Sequence, residues 1–179
     1  MRRAADARSR LDAAEAERED VLRRLQDAAG TLAELGRRED DVRRLAATCR
    51  EKIAAAPPLA VPSVAAIGDP PDGAADRPWP AVRAAAVEWL RVVERLGAAL
   101  DEAERRFRAP LARRDELRGL LQAFRDKASS AGLGEHEAVD PRYVAARDIL
   151  WAAPCDLDRA ELLVDEYIGR INTMMHGVN

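Results

Sequence analysis

The sequence predicts an all-α protein made of a long antiparallel coiled-coil helical hairpin and a short C-terminal helical hairpin. Three observations carry this. Two stretches repeat apolar residues with heptad spacing, a proline-rich segment separates them, and helix-capping signals punctuate the last third. Of 179 residues, 47% are hydrophobic and only 4% aromatic, so alanine and leucine supply a thin core of the kind paired helices make.

The first element is a long helix within residues 1–56. With Leu11 at heptad position a, Leu25, Leu32, Ala46 and Ile53 also fall at a, and Ala14, Val21, Ala28, Leu35, Val42 and Cys49 fall at d. Only Arg18 and Glu39 interrupt the seam, and the flanking positions are dominated by Arg, Asp and Glu. Gly30 and Gly36 each cost about 1 kcal/mol relative to alanine in a helix interior.

Residues 57–80 form a linker. Seven of the ten prolines fall here, with Gly68, Gly73 and the pair Asp69-Pro70, so the segment is not helical. It is longer than a tight helical hairpin requires. Leu59, Val61, Val64, Ile67 and Trp79 are its candidate anchors onto the helices.

The second long helix occupies 81–131. Its seam runs Val82, Ala86, Trp89, Val93, Leu96, Leu100, Ala103, Phe107, Pro110, Arg114, Leu117, Leu121, Phe124 and Ala128. Pro110 predicts a kink. Gly132 followed by Leu133 reads as a C-cap with its hydrophobic contact.

In the C-terminal segment, 132–179, Asp140-Pro141 predicts an N-cap with proline at the first helical position, with Val139 and Val144 as a hydrophobic staple. That helix ends near Ala153, before Pro154. Asp156 or Asp158 caps the last helix; with Asp158, Glu161 completes a capping box and Leu157 and Leu162 a staple. The last helix turns Leu163, Tyr167, Ile171 and Met174 to one face.

Folding the two long helices back at about residue 68 sets Gly30 and Gly36 opposite Leu100 to Phe107, small against large. The same alignment opposes Arg18 to Arg114. The segment from Gly132 carries four basic and nine acidic residues, and its apolar side chains exceed what two short helices bury between themselves, so they need another surface: the base of the long hairpin, a second copy or a partner.

The charged fraction is 34% with a net charge of -3, so no strong field draws nucleic acid or a membrane surface, and neither is an expected partner. Arg105-Arg106, Arg108 and Arg113-Arg114 are interleaved with acids at helical spacing, the pattern of intrahelical ion pairs. No glycine-rich phosphate loop, metal-ligand spacing or nucleophile with a neighbouring base stands out, so the reading is not an enzyme, with no cofactor and no metal. His136 in Gly134-Glu135-His136-Glu137 reads as part of a polar loop, and His176 as part of a tail. Cys49 at d reads as a small core residue; Cys155 stands at a helix N-terminus, where a thiolate is stabilised, but with no His near it in sequence it reads as structural or incidental. Two distant cysteines, no apolar leader in Met1 to Asp12 and no long apolar run give a cytoplasmic expectation.

Glu116-Leu117-Arg118-Gly119, Gly132-Leu133-Gly134 and the run from Ile149-Leu150-Trp151 through Ala152-Ala153-Pro154-Cys155-Asp156-Leu157 resemble the C-terminal part of uncharacterised helical actinobacterial proteins encoded near serine/threonine kinases, phosphatases and phosphopeptide-binding modules. The resemblance covers about the last third of the chain. It implies a signalling-associated accessory protein and no catalytic residue.

The functional expectation is a non-enzymatic interaction or scaffold protein whose C-terminal helices bind a protein partner. Trp79, Trp151, Tyr143, Tyr167 and Ile168 are the candidate contacts. A homodimer is possible too, since the same heptads can pair within one chain or between two. The alternative is a regulatory subunit of a kinase-linked system, switched at Ser9, Thr31, Thr48, Ser63, Ser129 or Ser130. A third reading is a metal- or thiol-dependent enzyme using Glu135, His136 and Cys155.

Overall fold

The computed structural model describes residues 2–71 and 78–176. Four α-helices follow in order: α1 (Arg2–Lys52), α2 (Trp79–Ser130), α3 (Asp140–Trp151) and α4 (Leu157–His176), with a 3-10 turn at Val64–Ala66 between α1 and α2. The all-α class is as the heptads predict. Gly73 lies outside the described residues. Contacts divide the chain into two compact units: residues 1–42 with 61–102, and residues 43–60 with 103–179.

In the first unit α1 and α2 run parallel, not antiparallel. Arg83 Nε donates to Glu17 Oε1 at 2.8 Å, Arg24 Nη2 donates to Glu94 Oε1 at 3.1 Å, and Arg38 pairs with Asp101. Partner numbers rise together on the two helices, which only a parallel pair allows. Val21, Ala28, Leu35 and Val42 of α1 and Val82, Ala86, Trp89, Val93, Leu96 and Leu100 of α2 are buried, so both seams are used, except that Leu11 and Ala14 at the start of the first are exposed and Leu25 and Leu32 are half-buried. The direction of pairing is what differs.

The linker makes this direction possible by running back along the helices. Val64 N–H donates to Glu39 Oε2 at 2.7 Å, Trp89 Nε1 donates to the Gly68 carbonyl at 3.4 Å, and the Arg18 guanidinium lies 5.3 Å from the centre of the Trp79 ring. From the level of Glu39 to that of Arg18 is about 31 Å of helix, at about 1.5 Å per residue. The number of residues between Val64 and Trp79 is enough to cover that span. The two interruptions of the α1 seam are therefore landing points for the linker. Glu39, only 8% exposed, takes an amide of the 3-10 turn, and Arg18 covers the first residue of α2.

The glycines of α1 do not make room for Phe107. A Cβ at Gly30 or Gly36 would meet nothing within 4 Å, whereas one at Gly97 would touch Leu35 Cδ2 at 3.7 Å. The opposition of Arg18 and Arg114 belonged to the antiparallel alignment, and each arginine has other partners here.

The second unit is a core of Leu117, Leu121 and Ala128 from α2, Ala146 and Leu150 from α3, and Ala160, Val164, Tyr167 and Ile171 from α4, with Val139 and Cys155. This supplies the surface that the apolar C-terminal helices need. α2 continues through Pro110 without interruption. It ends in a Schellman motif, because Leu133 N–H reaches the Ala128 carbonyl at 2.8 Å and Gly132 N–H the Ser129 carbonyl at 3.0 Å. Gly132 has φ 71°, the left-handed conformation that favours glycine.

One cap differs from expectation, and the other follows the first of the two alternatives. α3 starts at Asp140 with Val139 as N-cap and no side-chain cap bond, because the Asp140 carboxylate instead accepts from Arg125 Nη1 of α2 at 2.9 Å. For α4 the cap is Asp156, whose Oδ1 accepts from Arg159 N–H at 3.0 Å. Glu161 pairs with Arg113 rather than closing a capping box, and Leu162 is exposed.

Candidate functional site

The second unit contains a cavity of about 320 Å³ whose walls come from three places: Thr48, Glu51 and Lys52 at the end of α1, Leu111, Arg114, Asp115 and Arg118 on α2, and Ala153 at the α3–α4 corner. The corner is tied to the end of α1 through the backbone. Cys155 N–H donates to the Lys52 carbonyl at 2.8 Å and Ala54 N–H to the Cys155 carbonyl at 2.9 Å, a parallel bridge between Ile53 and Cys155. The Ala153–Pro154 peptide is cis.

Arg114 organises this junction. It is 5% exposed, at a position of the α2 seam otherwise filled by apolar residues. Its Nε donates to the Leu150 carbonyl at 2.8 Å, Nη2 to Ala152 at 2.6 Å and Nη1 to Lys52 at 3.4 Å. These carbonyls end α1 and α3, where unsatisfied oxygens and the helix dipoles concentrate negative charge. A planar guanidinium with five fixed donors suits such a convergence better than a lysine. Arg118 adds two bonds to the same Leu150 carbonyl, from Nε at 3.1 Å and Nη2 at 2.8 Å. Its guanidinium carbon also stacks 4.6 Å from the centre of the Trp151 ring.

Trp151 remains 56% exposed despite that stacking. It is the last residue of α3, so its backbone is fixed by the helix and its ring by Arg118. Beside the cavity, this gives a held aromatic, a guanidinium face and groups of both signs, Lys52 against Glu51 and Asp115. Such a surface can seat an apolar side chain and satisfy polar groups around it.

The other candidate contacts lie elsewhere. Tyr167 is 0% exposed and is a core residue, not a contact: helix spacing puts it on the inward face of α4 with Val164 and Ile171. Its ring lies 5.8 Å from that of Tyr143, which is half-buried and covered by Arg125 at 4.2 Å. Ile168 is half-buried against the same core. Trp79 is half-buried in the first unit under Arg18. Of the five, Trp151 alone is open.

The groups considered for chemistry have local roles. His136 Nδ1 accepts the Ala138 N–H at 3.0 Å inside the α2–α3 loop, and Glu135 is exposed there. His176 is in the last turn of α4, where Nδ1–H donates to the Asn172 carbonyl at 2.7 Å. Cys49 and Cys155 are free and fully buried. Burial pushes both thiols up, in Cys155 against the opposing influence of Arg114 and Arg118, so the helix N-terminus does not yield a thiolate. Among the described residues, no group of three or more His, Cys, Asp and Glu is placed to hold a metal ion. No described helix is long and apolar enough to cross a membrane.

Sequence reasoning missed Arg114 and Arg118 as the frame of this site. The signal was present, since an arginine on a buried seam position needs several acceptors, and helix C-termini are the richest source of them. Compared with family models, curated proteins and solved structures, the chain matches none.

Proposed function

We propose that the chain is a non-enzymatic protein-interaction protein, and that Trp151, Arg118 and the adjoining cavity form its contact with a protein partner. The observation that carries the reading is a tryptophan 56% exposed yet fixed at a helix end by an arginine 4.6 Å from its ring centre. Tryptophan and arginine dominate the residues on which protein interfaces depend, and their energy comes from covering exposed aromatic area. A side chain already held in place loses little entropy on binding. The resemblance of Ile149 to Leu157 to signalling-linked proteins supports the same class, with a partner drawn from such a system.

The test is quantitative capture from the native host with the full chain and with Trp151→Ala. Because Trp151 is exposed, the substitution should change stability by less than about 1 kcal/mol. A stoichiometric partner that the wild type retains and Trp151→Ala loses, with unchanged thermal unfolding, is the expected result. The same proteins captured in the same amounts by both would rule out this surface.

A further inference from the structure

The charged groups around the cavity of the second unit are unequally committed. Arg114 gives its guanidinium to three backbone carbonyls, those of Leu150, Ala152 and Lys52. Arg118 gives two bonds to the Leu150 carbonyl and stacks on Trp151, which leaves its Nη1 for Asp115 Oδ1 at 3.6 Å. The carboxylates are in the opposite condition. Asp115 has that one long contact and a side chain 75% exposed, and Glu51 has no hydrogen-bond or ion-pair partner for its carboxylate among the described residues. Glu51 stands in the last turn of α1, where the helix dipole opposes an acid. Lys52, the remaining cation of the wall, is its neighbour in sequence and so turns to another side of the helix, as an exposed ammonium on a flexible stem.

Given that Trp151 and this cavity meet a protein partner, we infer that the side chain the partner inserts is an arginine, its guanidinium set between Glu51 and Asp115 and its stem against Leu111 and Ala153. Charge chooses the occupant. A partner carboxylate would meet Glu51 and Asp115, and the guanidiniums able to answer it are bonded to carbonyls at the ends of α1 and α3, which would lose their donors. An apolar side chain would take water from both carboxylates and return no bond. A guanidinium suits the cavity in three ways: its planar fork reaches two acceptors at once, it sheds water more readily than an ammonium, and its face can lie on the exposed indole of Trp151. Because both carboxylates are exposed, the ion pairs select the partner residue more than they add affinity.

Nuclear magnetic resonance titration of the full chain tests this, with N-acetyl-arginine amide and its neutral isostere N-acetyl-citrulline amide as probes at matched ionic strength. The signal is the Trp151 indole N–H, identified by its loss in Trp151→Ala. The arginine compound is expected to shift it saturably, and the citrulline compound to bind at least about fivefold more weakly. The double variant Glu51→Gln/Asp115→Asn is expected to lose that preference while keeping the wild-type thermal midpoint, since both positions are exposed. No shift with the arginine compound, equal binding of the two compounds, or a double variant that still prefers arginine would each overturn the inference. In capture from the native host, a partner lost by both Trp151→Ala and the double variant supports it. A partner lost by Trp151→Ala and kept by the double variant overturns the arginine and leaves the Trp151 contact standing.

Discussion

Tyr167 places a phenol in the core of the second unit, and among the described residues no group stands in full hydrogen-bond geometry to its hydroxyl, although the Arg125 guanidinium is near enough to act on it. A buried hydroxyl that lost its water without replacement is a cost, so Tyr167→Phe should leave stability equal or raise it by up to about 1 kcal/mol in urea unfolding. Burial also raises the Tyr167 ionisation above its ordinary 10.0. The unfolded chain ionises first, so the stability this neutral phenol gives is intact below about pH 10 and is lost as pH rises through the folded value. The advantage of Tyr167→Phe over wild type should accordingly widen above pH 10. A constant difference, or a loss of more than about 1 kcal/mol on substitution, would show that the hydroxyl has a partner. The residues hardest to read from sequence were the polar ones on apolar seams. Glu39, Arg18 and Arg114 looked like imperfections, yet Glu39 and Arg18 hold the linker and Arg114 caps two helix ends. Periodicity identifies the interruption but does not name the acceptor, because that acceptor comes from a distant part of the chain.

At the level of elements, local chemistry was legible where it is self-contained. The Schellman end of α2 needs only Gly132, Leu133 and the preceding turn, and it forms as read. The cap of α3 was read less well, because Asp140 is drawn away by Arg125 on another helix, and for α4 Asp156 caps as the first alternative had it while the Glu161 of the second pairs with Arg113. A charge-assisted bond to a guanidinium outcompetes a cap that the backbone can form in other ways. Gly30 and Gly36 are the clearest case of a wrong inference from pattern. With nothing within 4 Å of either added Cβ, Gly30→Ala and Gly36→Ala should each stabilise by about 1 kcal/mol through helix propensity, and nearly additively. Thermal unfolding measures this. Destabilisation by either change would mean that a neighbour packs against the glycine after all.

For the molecule as a whole, the seams predicted which residues are buried but not which way the helices run. A heptad stripe reads the same in both directions, so direction is decided by what the stripe omits: exposed pairs such as Glu17–Arg83 and Arg24–Glu94, and a linker long enough to return. Each such pair contributes less than about 1 kcal/mol, but all favour the same alignment. The candidate contact site was legible only as Trp151, since its cavity depends on three separated segments meeting. The central claim is that α1 and α2 pair in parallel with the linker running back beside them, and a spin-label distance between Ala16→Cys and Ala84→Cys tests it most directly, both native thiols being buried. Parallel pairing predicts a separation of about 20 Å or less, since these positions neighbour Glu17 and Arg83. A separation above about 50 Å, the helix rise that antiparallel pairing folded at residue 68 would impose, would contradict it.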